Sequence, residues 1–379
     1  MYDAIIVGGG PGGSSAGNYL AKKGRKVLIL DRAKFPRLKV CAGWITPGAL
    51  ELLELKPSDY TGTIQRFSSG SVYIGGKYYH TDYKKTASFG IIRKEFDHFL
   101  VKRAVASGAE FLDGVRVKQV SAGENGVSVV CEDGRSFEAR LIIGAGGTGC
   151  PVSRQLAERS EDEIIIQATE SETRIGAETL RKLTPYFGTT ELFPEEDFYG
   201  YAWYVTKGDF VNIGIGRFNH RTKNLNEYLD KFMAKLRAMG RVQGIEEQMV
   251  PFSRHAYKLY DETYRQKVGN RFLLIGDAAG FASKWAGEGI KPAIHTGILA
   301  AKTADLALSA GDFSSGFLSQ YESQCEKAYG PQEKTAFDSL ASKVPDSLKK
   351  KFAGFVCTSP YLRKKLIFEA AFGFQPVDF

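Results

Sequence analysis

The chain opens on an apolar run, residues 3–7 (DAIIV), followed by a glycine cluster and by residues 14–22 (SSAGNYLAK), which have small side chains and helical spacing. A second apolar run at 26–30 (KVLIL) ends at Asp31. Strand, helix and strand in about thirty residues is the size of one βαβ unit. Residues 34–50, with Pro36, Gly43, Pro47 and Gly48, read as a loop entering a short helix. Residues 64–90 predict a β-hairpin with a turn at Gly75-Gly76, and residues 93–107 place Phe96, Leu100 and Ala104 at helical spacing. Short strands are predicted near 110–120 and 126–131, and the run LIIGAGG at 141–147 is a buried strand ending in glycines.

From about 160 to 260 the periodicity changes. Runs such as IIIQAT, GYAWYV and FVNIGIG predict an antiparallel sheet, with a helix near 224–238. RFLLIGDAAG at 271–280 returns to a strand that ends in Gly-Asp, and a long helix follows at about 288–309. The remaining seventy residues read as helical, with breaks near Pro331, Pro345 and Pro360. The predicted class is α/β. A discontinuous Rossmann-like domain takes residues 1–60, 91–155 and 262–310; an inserted antiparallel-sheet, substrate-binding domain takes 61–90 and 156–261; a C-terminal helical region takes 311–379.

Composition changes this picture little. A hydrophobic fraction of 43% and a charged fraction of 25% in 379 residues suit a soluble globular chain with a core of useful size. The net charge of +8 is scattered, with no long basic block, so no nucleic-acid partner is expected. The five cysteines, Cys41, Cys131, Cys150, Cys325 and Cys357, form no CxxC pair. That argues against a disulfide framework or a structural zinc, and fits a reducing, cytoplasmic compartment. The five histidines show no metal-ligand spacing and none is assigned a role. No secretory signal or transmembrane run is visible, so membrane contact would be peripheral.

Chemistry enters with Gly8-Gly9-Gly10-Pro11-Gly12-Gly13, a G-x-G-x-x-G pattern between a predicted strand and a predicted helix. Gly8 allows the tight turn, Gly10 lets backbone approach a pyrophosphate, and Gly13 lets the helix pack closely on the sheet. The helix start offers N–H groups and partial positive charge to phosphates. Ser14 and Ser15 are expected to cap this helix. Asp31, followed by Arg32, is placed to accept from an adenosine ribose. That pattern suits FAD and NAD alike. Leu274-Ile275-Gly276-Asp277-Ala278-Ala279-Gly280 followed by Gly287-Glu288-Gly289-Ile290 points to FAD. Asp277 can be aimed at a ribityl hydroxyl, and the helix start near Gly287–Ile290 at the flavin N1–C2=O edge.

These two motifs together resemble the aromatic hydroxylase-like superfamily of FAD enzymes, and within it the geranylgeranyl reductases. The implied nucleotide domain is FAD-binding and of the glutathione reductase type. Three further segments carry the resemblance over nearly the whole chain to about residue 310. Residues 36–43 (PRLKVCAG) resemble a K-x-C-G-G loop beside the flavin, Ile92-Arg93 with Phe96-Asp97 an R-x-x-F-D helix, and Gly200-Tyr201-Ala202-Trp203 a G-Y-x-W pocket segment. The resemblance implies cofactor contacts at Gly13, Asp31, Val40, Cys41, Gly43, Arg93, Val117, Asp277, Gly289 and Ile290. Departures are Ala42 where glycine is usual, Tyr204-Val205-Thr206 where x-F-P is usual, and Gly146 where an aspartate is usual.

Three residues are expected to carry chemistry. Cys41, beside the flavin, can protonate it or tune it electronically. Tyr201 and Trp203 alternate with Ala202 and so face one way, walling a lipophilic pocket that Phe198, Tyr199 and Tyr204 would enlarge. Tyr257 and Tyr260 are weaker candidates. Glu288 is expected to cap the following helix or act as an acid, and Lys284 and Trp285 to touch substrate or flavin. The expected reaction is reduction of carbon–carbon double bonds in an isoprenoid or similarly lipophilic small molecule, with NAD(P)H or a reduced ferredoxin-type protein as electron donor. Alternatives are a flavin monooxygenase and, last, a halogenase, whose W-x-W-x-I-P motif is matched only at Trp203. The C-terminal mixture of Lys349, Lys350, Lys351, Arg363, Lys364 and Lys365 with Phe352, Phe355, Leu362 and Phe368 reads either as helices covering the substrate domain or as a basic amphipathic surface for anionic lipid.

Overall fold

The computed structural model describes residues 1–158, 163–260, 264–283, 286–331 and 344–377. Lys284 and Trp285 lie outside these residues.

The chain begins as read. Strand Tyr2–Val7 runs into helix Pro11–Lys22 and then strand Val27–Leu30. An eight-stranded sheet grows around that unit. Tyr2–Val7 lies parallel between Val27–Leu30 and Ser136–Gly144; Glu110–Leu112 extends one side and Phe272–Leu274 the other, both in parallel. Their register brings Val7 opposite both Leu30 and Gly144, and Gly144 opposite Leu274. Four strands therefore end along one edge, where open α/β sheets bind ligands.

Helix Pro11–Lys22 packs against helix Ile290–Ala310 with almost nothing between them. A Cβ on Gly297 would stand 2.3 Å from the Gly12 carbonyl oxygen, and one on Gly12 would stand 2.7 Å from that of Ala293. Only glycine permits that approach.

The middle of the chain forms a seven-stranded sheet in the order Ser253–Lys258, Ile165–Arg174, Phe210–Phe218, Gly200–Lys207, Thr190–Pro194, Ser69–Ile74, Lys77–Asp82. Pairing is antiparallel except between Thr190–Pro194 and Ser69–Ile74. One face is covered by helix Leu225–Ala238, which buries Leu225, Leu229, Phe232, Met233 and Leu236. Each such side chain contributes about 1.5–3 kcal/mol relative to exposure. The other face carries Leu192, Trp203 and Val205, which pack in one cluster with Phe368 and Phe374. Ile64–Phe67 and Ser88–Ile91 do not join this sheet. They pair with Trp44–Ile45 as a separate three-stranded sheet beside the cysteine loop.

The C-terminal region is helical, with Gln320–Tyr329, Asp346–Thr358 and a wider-wound turn at Arg363–Ala371. No described helix is long and apolar enough to cross a membrane. All five cysteines are free, and only Cys41 is not buried.

Candidate functional site

A cavity of about 680 Å³ runs along the C-terminal edge of the parallel sheet and under the open face of the seven-stranded sheet. That volume lies within the range of cofactor and ligand sites.

At one end stands the glycine turn. Gly8 has φ +118°, and a Cβ there would meet the Ala145 carbonyl oxygen at 2.3 Å. Gly10 is the N-cap and Pro11 opens the helix, with no side chain capping it. Ser14 and Ser15 are not caps. Their hydroxyls donate backward to Gly9 O (3.0 Å) and Pro11 O (2.6 Å), because the helix starts three residues earlier than the small-residue run suggested. The helix start thus stays open to an anion. Asp31 accepts from the backbone N–H groups of Gly9 (2.8 Å) and Ala33 (2.9 Å), so it braces the turn as well as lining the cavity.

Arg37 lies beside this turn. Its Nη2 is 3.1 Å from Asp97 and 3.5 Å from where a Gly10 Cβ would be. Its Nη1 is buried without a partner among the described residues. A buried guanidinium N–H with no acceptor, next to an uncapped helix start, fits the diphosphate of FAD. Asp97 holds a second arginine: Arg93 donates to it through Nε and Nη2, both at 2.8 Å. The Arg93 guanidinium also reaches the Cys41 sulfur.

Across the cavity, Lys39, His255 and Asp277 meet. Lys39 Nζ is 2.6 Å from His255 Nε2, which lies 3.8 Å from Asp277 Oδ2. Burial opposes charge on Asp277, but His255, Lys39 and Arg93 outweigh it and hold the carboxyl below its usual range. Burial brings Lys39 down to about 8, with Asp277 opposing the shift. Glu288 accepts from the Lys291 backbone N–H at 2.7 Å, the helix cap expected of it. Burial pushes its carboxyl up to about 7.

Between these ends stand Cys41, Tyr201 and Trp203, all lining the cavity. Tyr201 and Trp203 face the same way, ring centroids 5.9 Å apart. The Tyr201 hydroxyl donates to Ala286 O (2.6 Å) and Trp203 Nε1 to Asn212 Oδ1 (2.7 Å). Trp44, Tyr257 and Phe372 add to the aromatic lining. Tyr204 does not: by strand alternation it points to the opposite face, where its hydroxyl donates to Arg241 O. Tyr199 packs against Phe218, and Tyr260 stacks on Phe281, 5.2 Å apart.

Of the residues singled out in the sequence, Gly8, Gly10, Pro11, Gly12, Asp31, Arg32, Val40, Cys41, Arg93, Val117, Tyr201, Trp203, Asp277, Gly287, Gly289 and Ile290 line one cavity. Gly13 and Gly43 do not. A Cβ on Gly13 would fall 1.9 Å from Gly8 O, and one on Gly43 2.1 Å from Ile91 O, so both serve packing behind the wall. Sequence reasoning missed Arg37, Lys39 and His255 as site residues. Arg37 and Lys39 sit in the quoted cysteine loop, but nothing local marks them out, and His255 reaches Lys39 over 216 residues.

A family model described as an FAD binding domain matches residues 1–330. The digeranylgeranylglycerophospholipid reductase of Methanococcus vannielii is 28% identical over 340 residues, 86% of this chain and 83% of that protein. The fold is shared with a geranylgeranyl bacteriochlorophyll reductase-like protein of Thermoplasma acidophilum, with TM-score 0.79, 22% identity, and coverage of 97% of this chain and 96% of that one. It is also shared with the FAD complex of a variant of the halogenase PltM, with TM-score 0.71, 21% identity, and coverage of 95% and 78%.

Proposed function

Because this chain belongs to the geranylgeranyl reductase family of FAD-dependent oxidoreductases, we propose that it reduces carbon–carbon double bonds of an isoprenoid or similarly lipophilic chain. Bound FAD, once reduced, supplies the hydride; the protein supplies position, dryness and a proton. The open helix start and Arg37 would hold its diphosphate, Asp31 its ribose and Asp277 its ribityl chain. Tyr201, Trp203, Tyr257 and Phe372 form an apolar wall that orients the chain and excludes water. Cys41 faces that wall with Arg93 behind it, and holds the proton for the second carbon. Electrons enter from NAD(P)H or a reduced ferredoxin-type protein.

The observation that carries this reading is the aromatic wall and the cysteine sharing one cavity with the glycine turn. The test is anaerobic. The flavoprotein is reduced, polyprenyl substrates of graded length are added, and the flavin spectrum and the product mass are followed. Reoxidation without O₂, with a product two mass units heavier, is expected. Reaction only with O₂, yielding an oxygenated product, would assign a monooxygenase instead.

The same reading includes peripheral contact with anionic lipid through the C-terminal helices. In helix Asp346–Thr358 the exposed residues Leu348, Phe352 and Phe355 recur at helical spacing, near Lys349, Lys350 and Lys351. Arg363 and Phe368 are not part of this surface; both are buried.

A further inference from the structure

Beneath the Cys41 loop lies a buried ionic cluster supplied by the seven-stranded sheet. Lys207 is fully buried and donates to Ala42 O (2.8 Å), Ile91 O (3.0 Å) and the Glu172 carboxylate. Asn212 Nδ2 donates to Glu170 Oε2 (2.8 Å), to Glu172 Oε1 (3.2 Å) and to Cys41 O (3.3 Å), while its Oδ1 accepts from Trp203. The Cys41 backbone N–H donates to Glu170. Gly43, at φ +65°, is wedged against Ile91 O, accepts from Ile91 N–H (2.7 Å), and directs its own N–H at the Cys41 sulfur (3.4 Å).

From Cys41 to Gly43, every backbone carbonyl is therefore held, and the tethers of Cys41 and Ala42 come from side chains of one sheet. Burying an ammonium and a carboxylate beside a second, partly buried carboxylate is costly. A helix cap or a turn would hold three residues with far less. The cluster also joins two residues that face the cavity, since Asn212 bonds both Cys41 and Trp203.

We propose that Glu170, Asn212 and Lys207 are positioning residues that clamp the Cys41–Gly43 loop and fix the direction of the Cys41 thiol relative to the Trp203 wall. The assignment rests on the reading of Cys41 as a working residue of the flavin site. Glu170 accepts from Cys41 N–H and from Asn212, so a proton on it removes the negative charge that strengthens both bonds. Burial and the neighbouring Glu172 push its carboxyl up to about 7, with the Cys41 N–H, Asn212 and Lys207 opposing. The charged or titratable groups facing it are Glu172 along its strand, Lys207 from the strand Gly200–Lys207 and Cys41 from the loop; Asn212 and the strand partner Ser253 are uncharged. The clamp therefore loosens as pH falls through that range.

The experiment uses FAD-loaded protein and Glu170→Gln, which keeps shape and loses one acceptor. Cys41 is the sole cysteine not buried among the five, so iodoacetamide followed by peptide mass spectrometry reads its reactivity across pH 5.5–9.5. The parent should show an inflection near 7, and Glu170→Gln should lack it. Turnover should fall roughly tenfold with KM little changed, as expected for one mispaired buried hydrogen bond near the reacting atoms. Hydrogen exchange of the peptide spanning 37–45 gives a second reading: faster exchange is expected there, with the strand Ser136–Gly144 still protected. Superimposable alkylation profiles and unchanged exchange would overturn the clamp. If instead Cys41→Ala leaves turnover intact while Glu170→Gln still alters alkylation, the clamp stands and the role given to Cys41 falls.

Discussion

Arg37 shows how a single atom can announce a ligand. A buried N–H without an acceptor costs about 1–3 kcal/mol, and more when charged, and folding leaves Arg37 Nη1 in that state. The penalty is relieved when a phosphate oxygen arrives. Arg37→Gln is expected to weaken FAD binding roughly tenfold to a hundredfold, read by fluorescence titration of apoprotein, while Arg32→Gln at the exposed mouth should change it less. Glu288 gives a second residue-scale test. Its folded pKa of about 7 lies above its unfolded value of 4.5. The neutral acid is thus favoured in the fold, and its contribution is full below about 4.5 and lost as pH rises through 7. Glu288→Gln keeps an acceptor for Lys291 N–H and has no charge to bury. With FAD saturating, denaturant melts should show the variant gaining on the parent from pH 5 to pH 8, by up to ~3 kcal/mol. A difference that stays flat with pH would mean that Glu288 titrates normally.

At the scale of elements, the glycine contact between helices Pro11–Lys22 and Ile290–Ala310 ties the phosphate end of the cavity to the flavin end. Gly297→Ala puts a methyl 2.3 Å from Gly12 O, against backbone that cannot rotate away. The helices must separate, at about 1–3 kcal/mol, and FAD affinity should fall with stability. Gly354→Ala, in an open stretch of helix Asp346–Thr358, is the control and should be neutral or slightly stabilising in a thermal melt. Elements of this kind were legible because their signals are local. Gly8 to Gly13, the apolar run ending at Asp31, and the Gly-Asp turn at 276–277 each declare a strand end or a helix start within a few residues. The alternation of Tyr201 and Trp203 likewise predicted a shared face. What stayed hidden depends on tertiary pairing. Asn212 bonds Cys41 across 171 residues, and nothing beside either one marks them as partners. Tyr204 was misplaced because composition grouped it with the aromatics while strand alternation sends it to the other face. The serine caps failed because Pro11, which suits a first helical turn, moved the helix start upstream.

For the whole molecule, the question is how an apolar chain reaches a cavity between two sheets. Five of the eleven large hydrophobic side chains exposed among the described residues fall within 348–366: Leu348, Phe352, Phe355, Tyr361 and Leu366. The same segment is firmly seated. Arg363 donates to Thr81 Oγ1, His80 O and Cys357 O, each at 2.9 Å, and Phe368 is fully buried. Nine residues after Arg363, Phe372 stacks on Trp44 at 4.7 Å and lines the cavity. One stretch of chain thus carries exposed apolar groups set among lysines and then enters the cavity wall; under the proposed lipid contact it would give a lipophilic chain a route from a bilayer surface. Vesicles containing anionic lipid should float the FAD-loaded protein at low salt, neutral vesicles should do so weakly, and added salt should release it, because screening weakens the lysine contribution. Phe352→Glu with Phe355→Glu should abolish flotation and slow turnover of long-chain substrate presented in vesicles, while turnover of a short, water-soluble analogue stays at the parent rate. If the parent fails to float at low salt, the surface serves something other than lipid; if both substrates slow equally, the substitutions have damaged the cavity wall and not the approach to it.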